Sequence, residues 1–388
     1  MDPILEKFNL NNEENKEEIV YGVYDNRKTN IFTRINDFLI DHSKISIKDK
    51  SYFFHLLAVM VDSGLPLVRS LKVLVDRTEN IHLKRVINTI QYNMENKGQT
   101  LAQSMQKFPD VFDESEIGIV KSGEETGKLD QMLFKLAKQL ERSYELKLKI
   151  KGAMVYPLTV VIALILAGII VMIFVIPKLK SFFTENSIDL PLPTQILINT
   201  SNFMGSYWWA VLLVIIAFSL ITNFYINTEH GKFKWHYYLL KTPLIGPLIV
   251  KLSIVKFVRF LEVLIASGLP ITKVLKICAD SIGNTVYQKK LYSTAEHVQQ
   301  GEKISDNLEN ATLIFPKTLV EMLRVGENSA AIDTASAKMA DHFEREIEHD
   351  LKNIITILEP SMIVLIGFIV VFMAFAIMAP IFNLSSIS

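Results

Sequence analysis

The stretch Ser63-Gly64-Leu65-Pro66 recurs 204 positions later as Ser267-Gly268-Leu269-Pro270. Aligning residues 63–74 with 267–278 gives six identities in twelve positions. Serine and glycine followed by proline are typical of a helix that ends where the next one begins. The recurrence therefore indicates that the chain contains an internal duplication built around a helical turn.

The duplication extends to both sides of this turn. Downstream of it the offset falls from 204 to 203 positions, as expected after a one-residue deletion. The further matching pairs are Phe53/Phe257, Leu57/Leu261, Val59/Val263, Gly98/Gly301, Gly123-Glu124/Gly326-Glu327, Pro157/Pro360 and Pro177/Pro380. Each repeat unit thus consists of a polar region followed by an apolar stretch.

Three stretches without charged residues are long enough to cross a bilayer, which takes about 20 apolar residues. They lie at 153–176, 207–226 and 360–383, in a chain that is 49% hydrophobic and 21% charged. The second stretch has aromatic residues at both ends, as interfacial belts do. It has no counterpart in the repeat, and two units in the same orientation need such a return crossing.

Basic residues flank the spans unevenly. Lys147, Lys149 and Lys151 precede the first span, and three lysines follow the second, whereas Lys178 and Lys180 are on the opposite side. The majority places the N-terminus and the long segment at about 227–358 in the cytoplasm. Residues 177–206 are then external.

Apolar residues at helical spacing, with no β-type alternation, predict that both water-facing units are α-helical. Ser46 is a candidate N-cap, and Gly98 is expected to end the third helix. The prediction is an all-α integral membrane protein with two homologous cytoplasmic six-helix bundles and three transmembrane helices. Its segments are 1–45 (flexible N-terminal segment), 46–151 (first bundle), 153–176 (transmembrane helix 1), 177–206 (short external loop), 207–226 (transmembrane helix 2), 250–358 (second bundle) and 360–383 (transmembrane helix 3).

Pro157 and Pro360 lie at the cytoplasmic ends of the first and third spans. Proline removes a backbone donor and clashes with the preceding turn. Two interpretations stay open: a bend in a helix continuous with the last bundle helix, or a helix break at the interface. The apolar pattern within the N-terminal segment, from Ile31 to Leu39, could be a docking element, although a flexible tail with one short helix is favoured.

Several kinds of chemistry are disfavoured by the sequence. With 41 basic and 41 acidic residues the chain has no net charge, which argues against nucleic-acid binding. Cys278 is the only cysteine, so internal disulfides and cysteine-based zinc clusters are excluded. The segment Gly123–Leu129 resembles a phosphate-binding loop but has the wrong spacing and two glutamates. We predict no catalytic residues and no cofactor.

His342, Glu346 and His349 would share one face of the helix before the third span. Metal ligation by this face is conceivable, but its dense charge favours a solvated helix surface, and we predict no metal site. The spans contain no Asp, Glu, Lys, Arg or His, which disfavours a transporter.

The order of these elements carries a family resemblance. In each unit the Ser-Gly-Leu-Pro turn is followed by Gly98 or Gly301, a Phe-Pro pair, the Gly-Glu element and a span. Over residues 44 to 385 this resembles the inner-membrane platform proteins of type II secretion systems and type IV pili, the GspF/PilC family. The second unit departs from the first in having Ala330 and Ala331 in place of Gly127 and Lys128.

The resemblance implies a non-enzymatic, multi-pass scaffold in the bacterial inner membrane that couples a cytoplasmic hexameric ATPase to the extraction of pilin or pseudopilin subunits. The implied partners are that ATPase, the pilins, bitopic inner-membrane assembly proteins, membrane lipid and further copies of the chain, with no nucleic acid. The alternatives are a small membrane transporter subunit and a membrane enzyme. The hypothetical interaction residues are Ser63, Gly64, Pro66, Gly123, Glu124, Glu125, Lys128, Ser267, Gly268, Pro270, Gly326 and Glu327.

Overall fold

The structure is a computed structural model that describes residues 43–177, 192–243 and 245–385. The regular elements among these residues are all helical. They form two compact units, one comprising residues up to Lys147 together with Val250–Glu344, the other comprising Leu148–Ile249 together with Arg345–Ser388. The first unit holds both predicted bundles.

The first bundle consists of six helices, as the periodicity predicted. They are α1 (Ile47–Asp62), α2 (Leu67–Arg77), α3 (Ile81–Lys97), α4 (Leu101–Met105), α5 (Glu114–Thr126) and α6, which begins at Leu129 and ends at Ile170. The Ser46 hydroxyl accepts a hydrogen bond of 3.0 Å from the Asp49 amide, which confirms the predicted N-cap. Gly98 ends α3 in the left-handed conformation, also as predicted.

The second bundle repeats this order. Its helices are α9 (Ile245–Ala266), α10 (Ile271–Ile282), α11 (Thr285–Gln299), α12 (Ile304–Glu309), α13 (Lys317–Asn328) and α14 (Ile332–Ser385). Between the bundles in sequence lie α7 (Leu192–Ile226) and α8 (Glu229–Lys241). Helix α8 was not predicted from the sequence.

Equivalent aromatic residues occupy the cores of the two bundles. Phe53 and Phe112 are buried in the first with ring centroids 6.5 Å apart. Their counterparts Phe257 and Phe315 are buried in the second, 5.6 Å apart. Burial of such rings is the main favourable contribution to folding of small helical bundles. Cys278 is fully buried in the second bundle as a small core residue, and burial raises the pKa of its thiol.

Within the described residues, three helices are long and apolar enough to cross a membrane, at Leu129–Phe174, Trp209–Ile226 and Ile332–Phe372. Large apolar side chains on them are exposed, for example Phe224 at 79% and Phe368 at 70%. Such exposure in water would be costly, and lipid removes that cost. The integral-membrane prediction is thereby supported by helix length and composition.

The last helix of each bundle continues into the apolar segment. Pro157 lies inside α6 and Pro360 lies inside α14. Of the two interpretations of these prolines, continuity is confirmed and the helix break is wrong. A π-helical turn, Val171–Val175, follows α6.

The predicted external loop at 177–206 is wrong in part, because α7 already begins at Leu192. A non-helical residue, Tyr207 (φ −120°, ψ 19°), interrupts α7 at the start of the predicted second span. The remainder of that loop, at 178–191, lies outside the described residues, as do residues 1–42 of the predicted flexible segment.

Candidate functional site

The first Gly-Glu element is part of a helix. Gly123 and Glu124, two of the hypothetical interaction residues, lie in the last turns of α5, and Gly127 and Lys128 follow it. The Glu124 carboxylate accepts hydrogen bonds from the amides of Leu101 (2.6 Å) and Ala102 (3.1 Å). These amides open α4 and have no partner within their own helix. Glu124 therefore caps a short helix of its own bundle.

The second Gly-Glu element makes the same arrangement. The Glu327 carboxylate accepts from the amides of Ile304 (2.6 Å) and Ser305 (3.0 Å) at the start of α12. A Ser305 hydroxyl bond to the same carboxylate adds a third donor. The helix dipole also favours a carboxylate at a helix N-terminus. Each glutamate therefore holds a short helix of its own bundle in place.

The glycine before each glutamate permits close helix packing. A Cβ atom at Gly123 would lie 3.0 Å from the Cα of Leu129 and 3.0 Å from the Cβ of Met132 on α6. A Cβ atom at Gly326 would lie 2.8 Å from the Cβ of Ala335 on α14. Both contacts are too close for a side chain. The motif thus brings the long helix of each bundle close to the helix before it.

The departure at Ala330 does not change the turn. Gly127 ends α5 with φ 67°, and Ala330 takes φ 52° at the equivalent position of the second bundle. A side chain in the left-handed region is strained by contact with its own backbone. The second bundle therefore keeps the geometry of the first at an energetic cost.

The Ser-Gly-Leu-Pro turns end one helix and begin the next, as predicted. The Ser63 hydroxyl donates to the Val59 carbonyl (2.7 Å), Gly64 takes φ 79°, and Pro66 is the N-cap of α2. In the second bundle the Ser267 hydroxyl donates to the Leu264 carbonyl (2.6 Å). Gly268 takes φ 83°, and Pro270 is the N-cap of α10.

The structure brings the second of these turns onto the first bundle. The Ser122 hydroxyl of α5 donates to the Ser267 carbonyl at 3.1 Å, and Ser122 is 1% exposed. One turn away on α5, a Cβ atom at Gly118 would lie 3.1 Å from the Cδ1 of Ile277 on α10. We call this contact of α5 with α10 and its preceding turn the inner junction. It joins the two repeats next to Gly123.

The other predicted site residues remain apart from the inner junction. Ser63, Gly64 and Pro66 of the first bundle are exposed, and so are Glu125 and Lys128. Glu125 lies 3.9 Å from Lys121 in an exposed ion pair on α5, which contributes little to stability. These exposed residues are accessible to a binding partner.

A charged cluster in the second bundle was not predicted from the sequence. The Arg259 side chain on α9 is 7% exposed and is surrounded by three carboxylates. It donates to Glu344 at 3.0 and 2.9 Å, to Glu262 at 2.9 Å and to Asp341 at 2.5 Å. Burial by itself would lower the pKa of Arg259, but the hydrogen bonds that it donates to these carboxylates raise its pKa above the usual value. The cluster fixes α9 against α14.

A second unpredicted pair lies in the first bundle. Lys50 on α1 donates to both Glu116 oxygens at 2.6 and 2.9 Å, and the Glu116 side chain is 2% exposed. Burial, with a smaller contribution from Asp113, raises the Glu116 pKa to about 7 despite the opposing Lys50 charge. At the equivalent positions the second bundle has Ile254 and Leu319, both fully buried. The two bundles therefore fill one core position in different ways.

The described part of the chain contains no group of three or more His, Cys, Asp or Glu side chains placed to hold a metal ion. The His342 ring instead contacts the Phe343 ring at 5.3 Å between centroids.

Comparison with known families identifies the repeat. The sequence profile of type II secretion system (T2SS) protein F matches twice, at residues 53–177 and 257–380. The chain belongs to the T2SS protein F family. Each match starts within the first helix of a bundle and ends at a span, so the duplication found in the sequence is that of the T2SS protein F repeat, and the predicted fold is confirmed.

Curated relatives of the T2SS protein F family cover most of the chain. The type IV pilus assembly protein PilC of Myxococcus xanthus is 31% identical over 87% of this chain and 81% of its own length. PilC of Pseudomonas aeruginosa is 28% identical over 89% of this chain and 92% of its own. The type II secretion system protein F of Aeromonas hydrophila is 29% identical over 90% of both.

Proposed function

We propose that this protein is the inner-membrane platform of a type IV pilus or type II secretion assembly machine. Membership of the T2SS protein F family supports this role, because relatives with similar identity are named for both systems. The protein acts as a scaffold that turns over no substrate of its own. It couples a cytoplasmic ATPase to the extraction of pilin or pseudopilin subunits from the membrane.

The observation that carries this proposal is the continuity of α6 and α14. Each helix begins in a bundle, passes a proline and enters the apolar segment without a loop. A helix of this kind resists compression and bending more than a flexible linker does, so displacement of its bundle end is passed to its membrane end. The two helices are also linked by ion pairs, Lys149–Glu348 near the spans and Arg142–Asp341 (3.8 Å) in the bundle unit.

In this proposal both bundles and the N-terminus face the cytoplasm, where the ATPase binds them. The exposed side chains Glu125 and Lys128 are the candidates for binding the ATPase, since Glu124 and Glu327 are engaged in helix caps. The exposed turn Ser63–Pro66 is a candidate for binding another partner. The pilin subunits and the bitopic assembly proteins contact the spans. The uncharged surface of these spans suits apolar helices as partners.

A complementation experiment in the native host tests the proposal. Deletion of the gene should abolish surface pili or type II secretion, and the wild-type gene should restore it. A variant with two glycines inserted after Gly152 should reach the membrane and bind the ATPase but fail to restore the activity, because the inserted glycines interrupt α6 between bundle and span. The matched control carries the same insertion after Glu79, an exposed residue between α2 and α3.

Two results separate the parts of the proposal. Deletion cells with normal pili and normal secretion would overturn the assembly function altogether. Restoration by the Gly152 insertion at the level of the Glu79 insertion would overturn coupling through α6 while leaving the assembly function intact.

A further inference from the structure

Because the chain is duplicated, each half of the inner junction exists twice. The inner junction uses α5 from the first bundle and α10 with its preceding turn from the second. The equivalents of these halves are α13 of the second bundle and the α1–α2 turn with α2 of the first. We call these the outer helix (α13) and the outer turn (residues 63–73).

The outer turn is open where its counterpart is covered. Ser63 is exposed, whereas Ser267 is 8% exposed at the inner junction. Val73 is 40% exposed at the position of Ile277, and Leu65 is 38% exposed at the position of the half-buried Leu269. The outer turn thus presents apolar side chains that its counterpart in the second bundle keeps more covered.

The outer helix is also open. Ser122 is 1% exposed at the inner junction, whereas Val325 at the equivalent position of α13 is 58% exposed. Val325 cannot donate the hydrogen bond that Ser122 makes, but it offers apolar surface of the kind that Leu65 and Val73 present. Association of two copies that buries such apolar surfaces against each other removes them from water, which favours the contact.

Charge at the two outer surfaces is complementary. The outer helix has the exposed Glu321 where α5 has Gly118. The outer turn has the exposed cations Arg69 and Lys72, which precede Val73 by four residues and one residue. Opposite charges around an apolar contact fix its register and disfavour pairing of like surfaces.

We propose that a second copy of this chain docks head to tail, with the outer helix of one copy on the outer turn of the next, in the manner of the inner junction. Val325 then contacts the turn at Ser63 and Leu65, as Ser122 contacts the turn at Ser267. Glu321 lies beside Val73, as Gly118 lies beside Ile277, with Arg69 and Lys72 next to it. Such a contact is heterologous, so every copy offers one surface of each kind, and the copies form a closed ring or an extended row. This inference does not depend on the assembly function proposed above.

Cysteine crosslinking between two differently tagged full-length chains tests the proposal in membranes. One chain carries Ser63→Cys and the other Val325→Cys, the equivalents of Ser267 and Ser122. The native Cys278 is fully buried and does not interfere. Oxidation should give a mixed-tag crosslink at least about tenfold stronger than the matched control. That control pairs Val325→Cys with Ile81→Cys, since Ile81 is 54% exposed in the same bundle but outside the outer turn.

A mixed-tag yield equal to that of the Ile81 control overturns the proposal. So does a stronger crosslink between two Ser63→Cys chains, because it indicates a symmetric contact. A charge swap gives an independent check in detergent. Glu321→Arg should weaken self-association at least about tenfold, and Arg69→Glu added to it should restore much of the loss. Unchanged self-association in the single variant contradicts the pairing of these surfaces.

Discussion

Glu124 and Glu327 make the same two hydrogen bonds in the two bundles, each accepting from the first two amides of a short helix at 2.6 Å and 3.0–3.1 Å. The most recognisable element of the repeat is thus explained by the fold, since the glycine permits close packing and the glutamate caps the neighbouring helix. The exposed residues beside this element are consequently better candidates for binding than the glutamate itself.

Glu124→Ala should destabilise the first bundle by about 1–3 kcal/mol, because the amides of the buried residues Leu101 and Ala102 lose their acceptor. Hydrogen exchange of these two amides in the full-length protein measures the effect, which should be faster exchange at both. The control Glu125→Ala changes an exposed neighbour and should leave their exchange unaltered. Equal effects of the two variants would show that the cap does not hold α4.

Ala330→Gly should stabilise the protein by about 1 kcal/mol, because glycine adopts the left-handed conformation of this position without strain. Gly127→Ala should cost a similar amount at the equivalent turn of the first bundle. Thermal unfolding of the full-length protein in detergent gives both shifts. Opposite signs are required for the two substitutions, and a lower melting temperature for Ala330→Gly contradicts the explanation.

The second bundle indicates how the buried ion pair of the first can be replaced. Lys50→Ile alone should cost about 3–5 kcal/mol, because it leaves Glu116 buried without its cation. Glu116 also accepts from the Asp113 amide at 3.1 Å, whereas the equivalent Pro316 has no amide hydrogen to satisfy.

The triple variant Lys50→Ile, Asp113→Pro, Glu116→Leu reproduces the arrangement of Ile254, Pro316 and Leu319. Its free energy of unfolding should therefore lie within about 1–2 kcal/mol of that of the wild type. Chemical unfolding of the three proteins gives the comparison. A triple variant as unstable as Lys50→Ile would show that the two bundles differ at this position by more than these three side chains.

Stability should depend on pH through Glu116. Its pKa is about 7 in the folded protein, against 4.5 for the ordinary group, so the folded state binds more protons in this range. The contribution of Glu116 to the free energy of unfolding is fully present below about pH 4.5 and is lost as the pH rises through 7. Melting temperatures between these pH values should fall with rising pH in the wild type. Glu116→Gln, which does not titrate, should remove this part of the slope, and an unchanged slope contradicts the assignment.

Much of the fold could be predicted from the sequence because its signals are local. The recurring turn at Ser63 and Ser267, the caps at Ser46 and Gly98, and the three apolar stretches depend on neighbouring residues. They were sufficient for the order of the helices and for the duplication. The open choice at Pro157 was decided only by the structure, because proline is compatible with both a bend and a break.

The candidate site was less predictable because its contacts join distant residues. Arg259 donates hydrogen bonds to Asp341 and Glu344, which lie more than 80 residues away in sequence. Ser122 and Ser267, which are also hydrogen-bonded, lie 145 residues apart. No spacing rule connects such residues. The Gly-Glu element was recognised in the sequence, but its glycine was not placed inside a helix. Glycine there is disfavoured unless a close neighbour requires it, as α6 does at Gly123.

The central claim is that two copies of one helical module with its span lie on the same side of the membrane, with α7 as the return crossing. Cysteines placed at Thr100 and Gln300, one in each bundle, test it in whole cells with a membrane-impermeant thiol reagent, with Ser206→Cys before the second span as the external control. If both bundles face the cytoplasm, the cysteines at 100 and 300 are both protected until the membrane is permeabilised, while the cysteine at 206 is labelled at once. Labelling of position 100 and protection of position 300 in intact cells, or the reverse, would contradict it.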